Sequence, residues 1–375
     1  MATPDRGADP GVIREADPGV VREADPGWFA MVMATGIVSA ALLQAGRPGP
    51  SVALLWVAGL AFAVLVVLSA WRAAASGPQV RNELRRPGQV FSYFAFPAAA
   101  SVLGSRLADY GPRDGAAALA VTVLITAVAL AWIWLTGLVG IILAARPGLR
   151  SAITEVNGTW QLWVVGTQSL AIAATSGYAA GAVAGRAGGL AAIIAWSAGA
   201  VLYPGITVLV MARLLGAVAP GTAADEPFAP YWVSMGAASI TVLAAAQILH
   251  IAAVAGLASA KPVLTVLALA FWSVATGLIP VLATIGVVRR LRRPAGMRFR
   301  RELWMIVFPL GMYATASMRI GAVAGLAPIR DIGTAATWPA VAAWAAVFAG
   351  MVTAPLRPRR APRPYRWRWR PPGAR

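Results

Sequence analysis

The chain has 375 residues, of which 59% are hydrophobic and 12% are charged. Soluble domains contain roughly 45–50% apolar and about 25% charged residues, so this composition excludes an ordinary soluble protein. The sequence has no cysteine and a single histidine, which excludes disulfides, thiolate metal sites and cysteine nucleophiles. We therefore expect no metal, no cofactor and no catalytic residue.

The net charge of +18 arises from 32 basic and 14 acidic residues, and Lys261 is the single lysine. Such an excess typically indicates nucleic acid or anionic lipid as a partner. Long uncharged runs decide between them, because each run has about the 20 residues that cross a bilayer. The arginines are therefore interpreted as loop charges beside a membrane, and no nucleic-acid partner is expected.

Ten apolar stretches are bounded by charges or by clusters of proline and glycine, and each is long enough to be a predicted transmembrane helix. They are 28–45, 51–71, 91–107, 116–145, 159–180, 188–212, 230–257, 262–288, 303–325 and 334–355. The third is diluted by serines and by Arg106, which is typical of a helix that faces a pore. The predicted fold class is all-α integral membrane.

The distribution of basic residues predicts the orientation. Segments on the same side as both termini hold 25 of the 32 basic residues, and cytoplasmic loops are enriched in arginine and lysine. This predicts a multi-pass protein with both termini inside. The acidic first 27 residues do not resemble a cleavable signal. Together with an Arg-, Ala- and Gly-rich composition, they indicate the cytoplasmic (inner) membrane of a high-GC bacterium.

The two ends of the chain resemble tails. Residues 1–27 form a predicted disordered cytoplasmic tail, in which READPG occurs at 14–19 and again at 22–27 as part of an octapeptide repeat. Asp25 and Pro26 are a favourable N-cap and first-turn pair for a helix near Trp28. The transmembrane domain is predicted over 28–356. Residues 357–375 form a tail of Arg, Trp and Pro, interpreted either as an anchor for anionic lipids or as an ordinary positive-inside segment.

No acidic residue lies deep within a hydrophobic run. Proton- and cation-driven pumps usually carry a carboxylate at membrane depth, because a cation in hydrocarbon needs a compensating charge. An anion is stabilised instead by hydroxyls, by the positive ends of helices and by arginine at the mouths. The sequence therefore favours passage of anions or neutral solutes.

Polar residues are more frequent in the odd-numbered stretches, with 20 in 108 residues against 14 in 125 for the even-numbered ones. This predicts an inner ring of odd helices and an outer ring of even helices. Taken singly, each small residue is better explained by close helix packing, and it is the set of them that favours the inner ring. The candidate pore-lining residues are Thr35, Gly36, Ser39, Pro97, Ser101, Thr167, Ser169, Gly236, Ser239, Pro309, Thr315 and Ser317.

Three further features bear on a pathway. Pro97, Pro204, Pro280 and Pro309 are expected to bend their helices. Arg106 and Arg319 are predicted near the outer ends of odd helices, where they either attract anions or extend to the headgroups. His250 has no nearby carboxylate in sequence and is interpreted as a packed polar residue.

Four segments together resemble one known family. PGWFAMVMATGIVS (26–39), NGTWQLWVVGTQSLA (157–171), PYWVSMGAASITVLA (230–244) and LWMIVFPLGMYATA (303–316) resemble the tellurite-resistance/C4-dicarboxylate transporter family. That family also contains the plant slow-type anion channels and the sulfite exporters. The resemblance covers residues 26 to about 356 and leaves out both tails.

The resemblance implies ten helices arranged as five hairpins around a central pore, with odd helices inside and even helices outside. It implies that Phe308, which precedes Pro309, occludes the pore, and that the protein is a homotrimer with one pore in each protomer. Ser101 departs from the larger polar residue expected in bacterial relatives, which leaves the substrate preference open.

The expected function is transport of small anions, with malate-like C4-dicarboxylates first and a sulfite or halide/nitrate channel or exporter as the alternative. Channel and proton-coupled carrier both remain open. An intramembrane enzyme would need acidic metal-binding pairs or a nucleophile with a base, and the sequence offers neither. A non-transporting membrane scaffold is the remaining alternative. Resistance to tellurite is not inferred, because that chemistry calls for thiols.

Overall fold

The computed structural model describes residues 25–110, 115–145, 155–181, 185–215, 227–251, 256–292 and 299–354. All regular structure in these ranges is helical. The first 24 residues and the segment from 355 onward, which contain most of the two predicted tails, lie outside the described ranges.

Ten α-helices of 16 residues or more lie in the described part of the chain and are numbered in chain order. They are α1 (Phe29–Gln44), α2 (Pro48–Ala75), α3 (Ala95–Tyr110), α4 (Gly115–Ala144), α5 (Gln161–Ala179), α6 (Gly185–Leu214), α7 (Val233–Ile251), α8 (Lys261–Arg292), α9 (Trp304–Val323) and α10 (Ala327–Thr353). Two short helices that the sequence did not predict, Gly77–Leu84 and Pro87–Val90, connect α2 to the start of α3.

Eight of these helices, taken with the turns that precede them, are long and apolar enough to cross a membrane, whereas α3 and α5 are not. Helix α3 has 16 residues, and α5 contains Gln161, Gln168 and several hydroxyl residues. Most of α5 is nevertheless buried within the protein. Because neighbouring helices surround it in place of lipid, its side chains need not be apolar to be stable there.

Burial divides the helices into two sets. In the apolar windows of α1, α7 and α9, between 72% and 89% of the residues are buried, against 11–33% for α2, α4, α6, α8 and α10. The even helices carry exposed large apolar side chains such as Trp56, Leu130 and Val201. An apolar surface of this extent is stable against lipid and unfavourable against water.

The odd helices contact one another in a closed cycle, in the order α1, α3, α5, α7, α9 and back to α1. Each odd helix also packs against the even helix that follows it. Four glycines with positive φ follow odd helices, namely Gly46, Gly181, Gly256 and Gly325. Glycine adopts this left-handed conformation without the steric cost that a side chain adds.

Tryptophans of the even helices form hydrogen bonds to the odd helices. The indole Nε1 groups of Trp132, Trp272 and Trp344 donate to the hydroxyls of Thr167, Ser317 and Thr35 at 2.9, 2.9 and 3.0 Å. A buried indole N–H needs such an acceptor because no water replaces it. These bonds connect the outer layer to the inner one.

Replacing Trp272 with phenylalanine is therefore expected to lower the free energy of unfolding by about 1 kcal/mol, the usual net contribution of one hydrogen bond. The thermal unfolding midpoint of the detergent-purified protein is the measurement. Trp56, whose side chain is 76% exposed on α2, provides the control substitution to phenylalanine. Equal midpoints for the two variants would contradict a stabilising role for this bond.

The four prolines expected to bend helices occupy two kinds of position. Pro204, Pro280 and Pro309 lie inside α6, α8 and α9 as predicted. The prediction of a bend at Pro97 is wrong, because Pro97 is the third residue of α3. Backbone N–H groups in a first helical turn have no partner within the helix, so a proline there removes no bond.

Candidate functional site

Each of the five odd helices is preceded by a turn of 3-10 helix. These turns are Pro26–Trp28, Phe91–Phe94, Gly158–Trp160, Ala229–Trp232 and Arg301–Leu303. They contact one another in a closed cycle in the same order as the helices. The N-terminal ends of all five odd helices therefore meet at one end of the protein, which we call the inner end.

Two of the turns are fixed by side-chain caps that the local sequence provides. As predicted for the Asp25–Pro26 pair, the Asp25 carboxylate accepts a hydrogen bond from the backbone N–H of Gly27 at 2.7 Å. Asn157 Oδ1 accepts one from the backbone N–H of Thr159 at 2.8 Å. Short polar side chains at such positions satisfy N–H groups that have no helical partner.

The inner end encloses a cavity of about 310 Å³. Its lining includes one or more residues of every turn, namely Gly27, Tyr93, Thr159, Pro230 and Glu302. Met305, in the first turn of α9, is also part of the wall. The cavity therefore lies on the axis of the ring of odd helices.

The carboxylates that line this cavity have arginine partners. Arg301 lies 2.9 Å from Asp25 and 3.3 Å from Glu302. Glu83 accepts from Arg72 at 2.5 Å and from the Tyr93 hydroxyl at 3.0 Å. Pairing reduces the repulsion that these carboxylates would exert on an anion, and the helix N-termini around the cavity add positive partial charge.

Phe308 lies one turn beyond Met305 on α9, and its side chain is 1% exposed. It faces Gly236 of α7, where an added Cβ would lie 3.3 Å from the Phe308 ring and 2.9 Å from Pro309 Cγ. Glycine at position 236 thus leaves room for the aromatic ring between the two helices. Phe308 and Gly236, predicted separately as gate and pore-lining residues, are neighbours in the structure.

At the other, outer end of the odd helices lies a second cavity of about 150 Å³. A narrow cavity of about 20 Å³, which we call the extension, shares Ser105, Asp109, Gln247 and Arg319 with the lining of this second cavity. All five odd helices line this extension, through Ile37, Val102, Ile172, Leu243 and Thr315. On α9, Met305 of the inner cavity and Thr315 of the extension are ten residues apart, or about 15 Å along a helix.

Arg106 and Arg319 both line the extension, and Arg319 also lines the outer cavity. Their role at an outer mouth stays a prediction. The Arg106 side chain is 1% exposed and donates to Asp109 at 3.0 Å and to Ser51 Oγ at 2.9 Å. Arg319 lies 3.5 Å from the other oxygen of Asp109. A buried arginine with several oxygen acceptors keeps a fixed position.

Comparison with known proteins adds the identity of the family. The family model described as "SLAC1: Voltage-dependent anion channel" matches residues 23–352 of this chain. The chain belongs to the SLAC1 family. The resemblance drawn from the sequence motifs is thereby confirmed, and members of this family transport anions across membranes and are not enzymes.

Two curated relatives are 36% identical to this SLAC1-family chain over 151 residues, which is 40% of this chain and 75% of each relative. Both are described as uncharacterized membrane proteins, from Mycobacterium tuberculosis strains CDC 1551 and H37Rv. They agree with placement of this SLAC1-family protein in a membrane.

The hydroxyls predicted to line the pore are engaged in several kinds of contact. Thr35, Thr167 and Ser317 accept indole hydrogen bonds from outer helices, and Ser101 Oγ donates to the backbone oxygen of Ser169 at 2.8 Å. Ser169 and Ser239 donate to backbone oxygens of their own helices. Their assignment to the pore wall stays a prediction, whereas Thr315 lines the extension of the outer cavity.

Gly36 and Gly311 allow close packing between odd helices. A Cβ added at Gly36 would lie 2.7 Å from Val102 Cγ1, and one at Gly311 would lie 2.9 Å from Ile37 Cγ2. Gly36 was predicted as a pore-lining residue, and its backbone lies against α3. These contacts agree with the alternative interpretation of the small residues, in which they let helices pack closely.

Sequence reasoning missed several residues of the outer cavity. Gln247 receives a hydrogen bond from Thr175 at 2.7 Å and donates to Ser105 at 3.4 Å, which joins α5, α7 and α3. Asp109 lies just beyond the span predicted at 91–107 and is not among the predicted site residues. One sequence signal was available. An acidic residue in the last turn of a helix interacts unfavourably with the helix dipole, so its presence there indicates a basic partner.

Proposed function

We propose that this protein conducts small anions across the membrane along the axis of the odd helices, from the inner cavity past Phe308 to the outer cavity. The observation that supports this path is that residues from all five odd helices, or from their preceding turns, line both the inner cavity and the extension of the outer one. Two cavities built by the same five elements lie on one axis. In this proposal the odd helices form the inner wall and the even helices face the lipid.

Phe308 is the gate in this proposal. It lies on α9 between Met305 of the inner cavity and Thr315 of the outer extension, and it is buried. A large aromatic side chain blocks a narrow path by its bulk and by excluding water. Five of the twelve residues that line the extension are apolar, and Ile37, Val102, Ile172 and Leu243 supply one such side chain from each of four odd helices.

Electrostatics support an anion as cargo. The inner cavity lies at the N-terminal ends of five helices, and Arg106 and Arg319 line the extension of the outer one. Helix N-termini and arginines stabilise negative charge, and the carboxylates that line the two cavities are paired with arginines. Malate-like C4-dicarboxylates are the proposed first cargo, because the motifs resemble those of dicarboxylate transporters and two arginines suit a doubly charged anion.

The proposed assembly follows from the same features. All ten long helices cross the inner membrane of a bacterium as five hairpins, with both termini in the cytoplasm. The described arginines that support this orientation include Arg72, Arg213 and Arg289, which lie in the last turns of even helices, at the end where the next odd helix begins. The path lies within one chain, so each protomer of the homotrimer implied by the family resemblance carries its own pore.

Anion uptake into liposomes tests the function. Purified full-length protein is reconstituted, an inside-positive potential is imposed, and uptake of labelled malate, sulfite and chloride is compared with uptake of a neutral solute. We expect anion uptake that depends on the potential and is greatest for malate. Protein-free liposomes are the control.

The other outcomes discriminate between the alternatives. A higher rate for sulfite or chloride would replace the dicarboxylate assignment. Uptake driven by a pH gradient and insensitive to the potential would identify an electroneutral carrier in place of a channel. Absence of uptake for all three anions would favour a membrane scaffold.

A further inference from the structure

Asp109 is held between two arginines at the outer cavity. Its Oδ2 accepts a hydrogen bond from Arg106 Nη1 at 3.0 Å, and its Oδ1 lies 3.5 Å from Arg319 Nη2. The two arginines come from α3 and α9, so the carboxylate bridges two inner helices. The Asp109 side chain is 31% exposed, which leaves it accessible from the outer cavity that it helps to line.

Arg106 is fixed independently of Asp109. Ser39 Oγ and Ser51 Oγ each donate to the other residue's backbone oxygen, at 2.7 and 2.6 Å. Their remaining lone pairs accept from Arg106, at 3.4 Å from Nε and at 2.9 Å from Nη2. The guanidinium therefore keeps its place when the carboxylate leaves, as a preorganised anion receptor requires.

Arg319 has unused donor capacity beside the same cavity. Its Nε is buried and has no hydrogen-bond partner among the described residues. A buried donor without a partner costs free energy, and an oxyanion entering the cavity would supply an acceptor. Gln247, Ser105 and Thr175 line the same cavity and add polar groups on the opposite helices.

The helix dipole does not favour an acidic residue at position 109. Asp109 is the last but one residue of α3, where the negative end of the helix dipole disfavours a carboxylate. The two arginines therefore supply the interaction that holds it. Among the described residues, the negative charge of Asp109 therefore offsets part of the positive charge of Arg106 and Arg319.

We propose that Asp109 is a tethered competitor that occupies an oxyanion-binding site formed by Arg106 and Arg319, and that an anion arriving from the outer side displaces it. The inference rests on the proposed anion path. It assigns oxyanions as the ligands of the site that Arg106 and Arg319 form on that path. The two oxygens of Asp109 contact two different arginines, so a carboxylate or another planar oxyanion reproduces both contacts. A halide presents one atom and reproduces them less well.

The test compares Asp109→Asn and Asp109→Ala with wild type. Removing the competitor raises the fraction of protein whose site is free, and the apparent dissociation constant falls by the same factor, roughly tenfold if Asp109 fills the site about nine-tenths of the time. We expect the half-saturating concentration of malate applied from the outer side to fall by roughly that factor, and that of chloride to fall less. Malate applied from the inner side should be unaffected.

Asp331→Asn is the matched control, because Asp331 pairs with Arg330 at 3.7 Å on the same outer side and is 71% exposed. It removes the same charge outside the proposed site. All variants are compared at one pH, since His250 lines the same cavity, and at one ionic strength, since surface potentials depend on it.

Binding is measured separately from transport, by the malate-dependent rise in thermal unfolding midpoint of the purified protein. If the unfolding midpoint of the Asp109 variants rises at lower malate concentrations than that of wild type, the inference is supported, even if no variant transports anions. Absence of transport would count against the proposed function alone. The inference is overturned by unchanged malate binding in folded Asp109 variants, by loss of malate binding in both of them, or by an equal gain in Asp331→Asn.

Discussion

A sustained anion-selective current is the expected result of replacing Phe308 with alanine, at least about tenfold above the wild-type current under the same gradient. A tenfold increase corresponds to a barrier lowered by about 1.4 kcal/mol. The physical reason is that Phe308 is buried and lies on α9 between Met305 of the inner cavity and Thr315 of the outer extension. The measurement is current across planar bilayers that contain purified protein, in malate, sulfite and chloride gradients.

Truncation of a buried phenylalanine also leaves a cavity and commonly costs about 3–5 kcal/mol of stability. Phe308→Leu is therefore measured beside it and should give an intermediate current. Phe348→Ala is the matched control, because Phe348 stacks on Trp344 of outer helix α10 with ring centroids 4.9 Å apart. Its current should equal that of wild type.

Electrical silence of both Phe308 variants, combined with malate uptake in response to a pH gradient, would show that Phe308 is not the gate. A current of equal size in Phe348→Ala would show instead that loosened packing makes the membrane leak. The relative currents of the open variant in the three gradients rank the anions.

Gly158→Ala is expected to destabilise the protein by about 3 kcal/mol or more, at the upper end of the cost of overpacking. An added Cβ would lie 2.3 Å from the carbonyl carbon of Pro230 and 2.5 Å from the backbone nitrogen of Tyr231. These are backbone atoms of the neighbouring turn, so no side-chain rotation relieves the contact. The ring of turns at the inner end would have to open.

The thermal unfolding midpoint of the detergent-purified protein checks this expectation. Gly59→Ala on α2 is the control, since an added Cβ there has nothing within 4 Å, and alanine favours a helix interior by roughly 0.5–1 kcal/mol over glycine. The control should be neutral or slightly stabilised. A midpoint for Gly158→Ala close to that of the control would mean that the two turns are not in close contact.

Much of the helical organisation was predictable from local sequence. Residues 51–71 and 116–145 are predominantly apolar and carry no charge, and the structure has helices Pro48–Ala75 and Gly115–Ala144 in their place. The span predicted at 91–107 was harder, because its first residues form a 3-10 turn and its helix continues to Tyr110. The last span was predicted from 334, whereas α10 begins at Ala327. Polar residues such as Arg330 and Asp331 lower the local hydropathy although the helix includes them.

The candidate site was predictable in part. Phe308, Gly236, Arg106 and Arg319 follow from motif resemblance, from small residues and from the position of charges near helix ends. The contacts of Thr35 and Thr167 were not predictable, because the sequence does not distinguish a hydroxyl that faces a pore from one that accepts a hydrogen bond from an indole. Their partners, Trp344 and Trp132, are 309 and 35 residues away.

The sequence by itself determined that the chain is an all-helical membrane protein of the SLAC1 family, because hydropathy, charge asymmetry and the four motifs are properties of contiguous segments. Only the tertiary structure decided which polar groups share a cavity. Asp109 lies between Arg106 and Arg319, and the five turns of the inner end form one ring. Such contacts join residues that are far apart in the chain, and their geometry is set by how the helices pack.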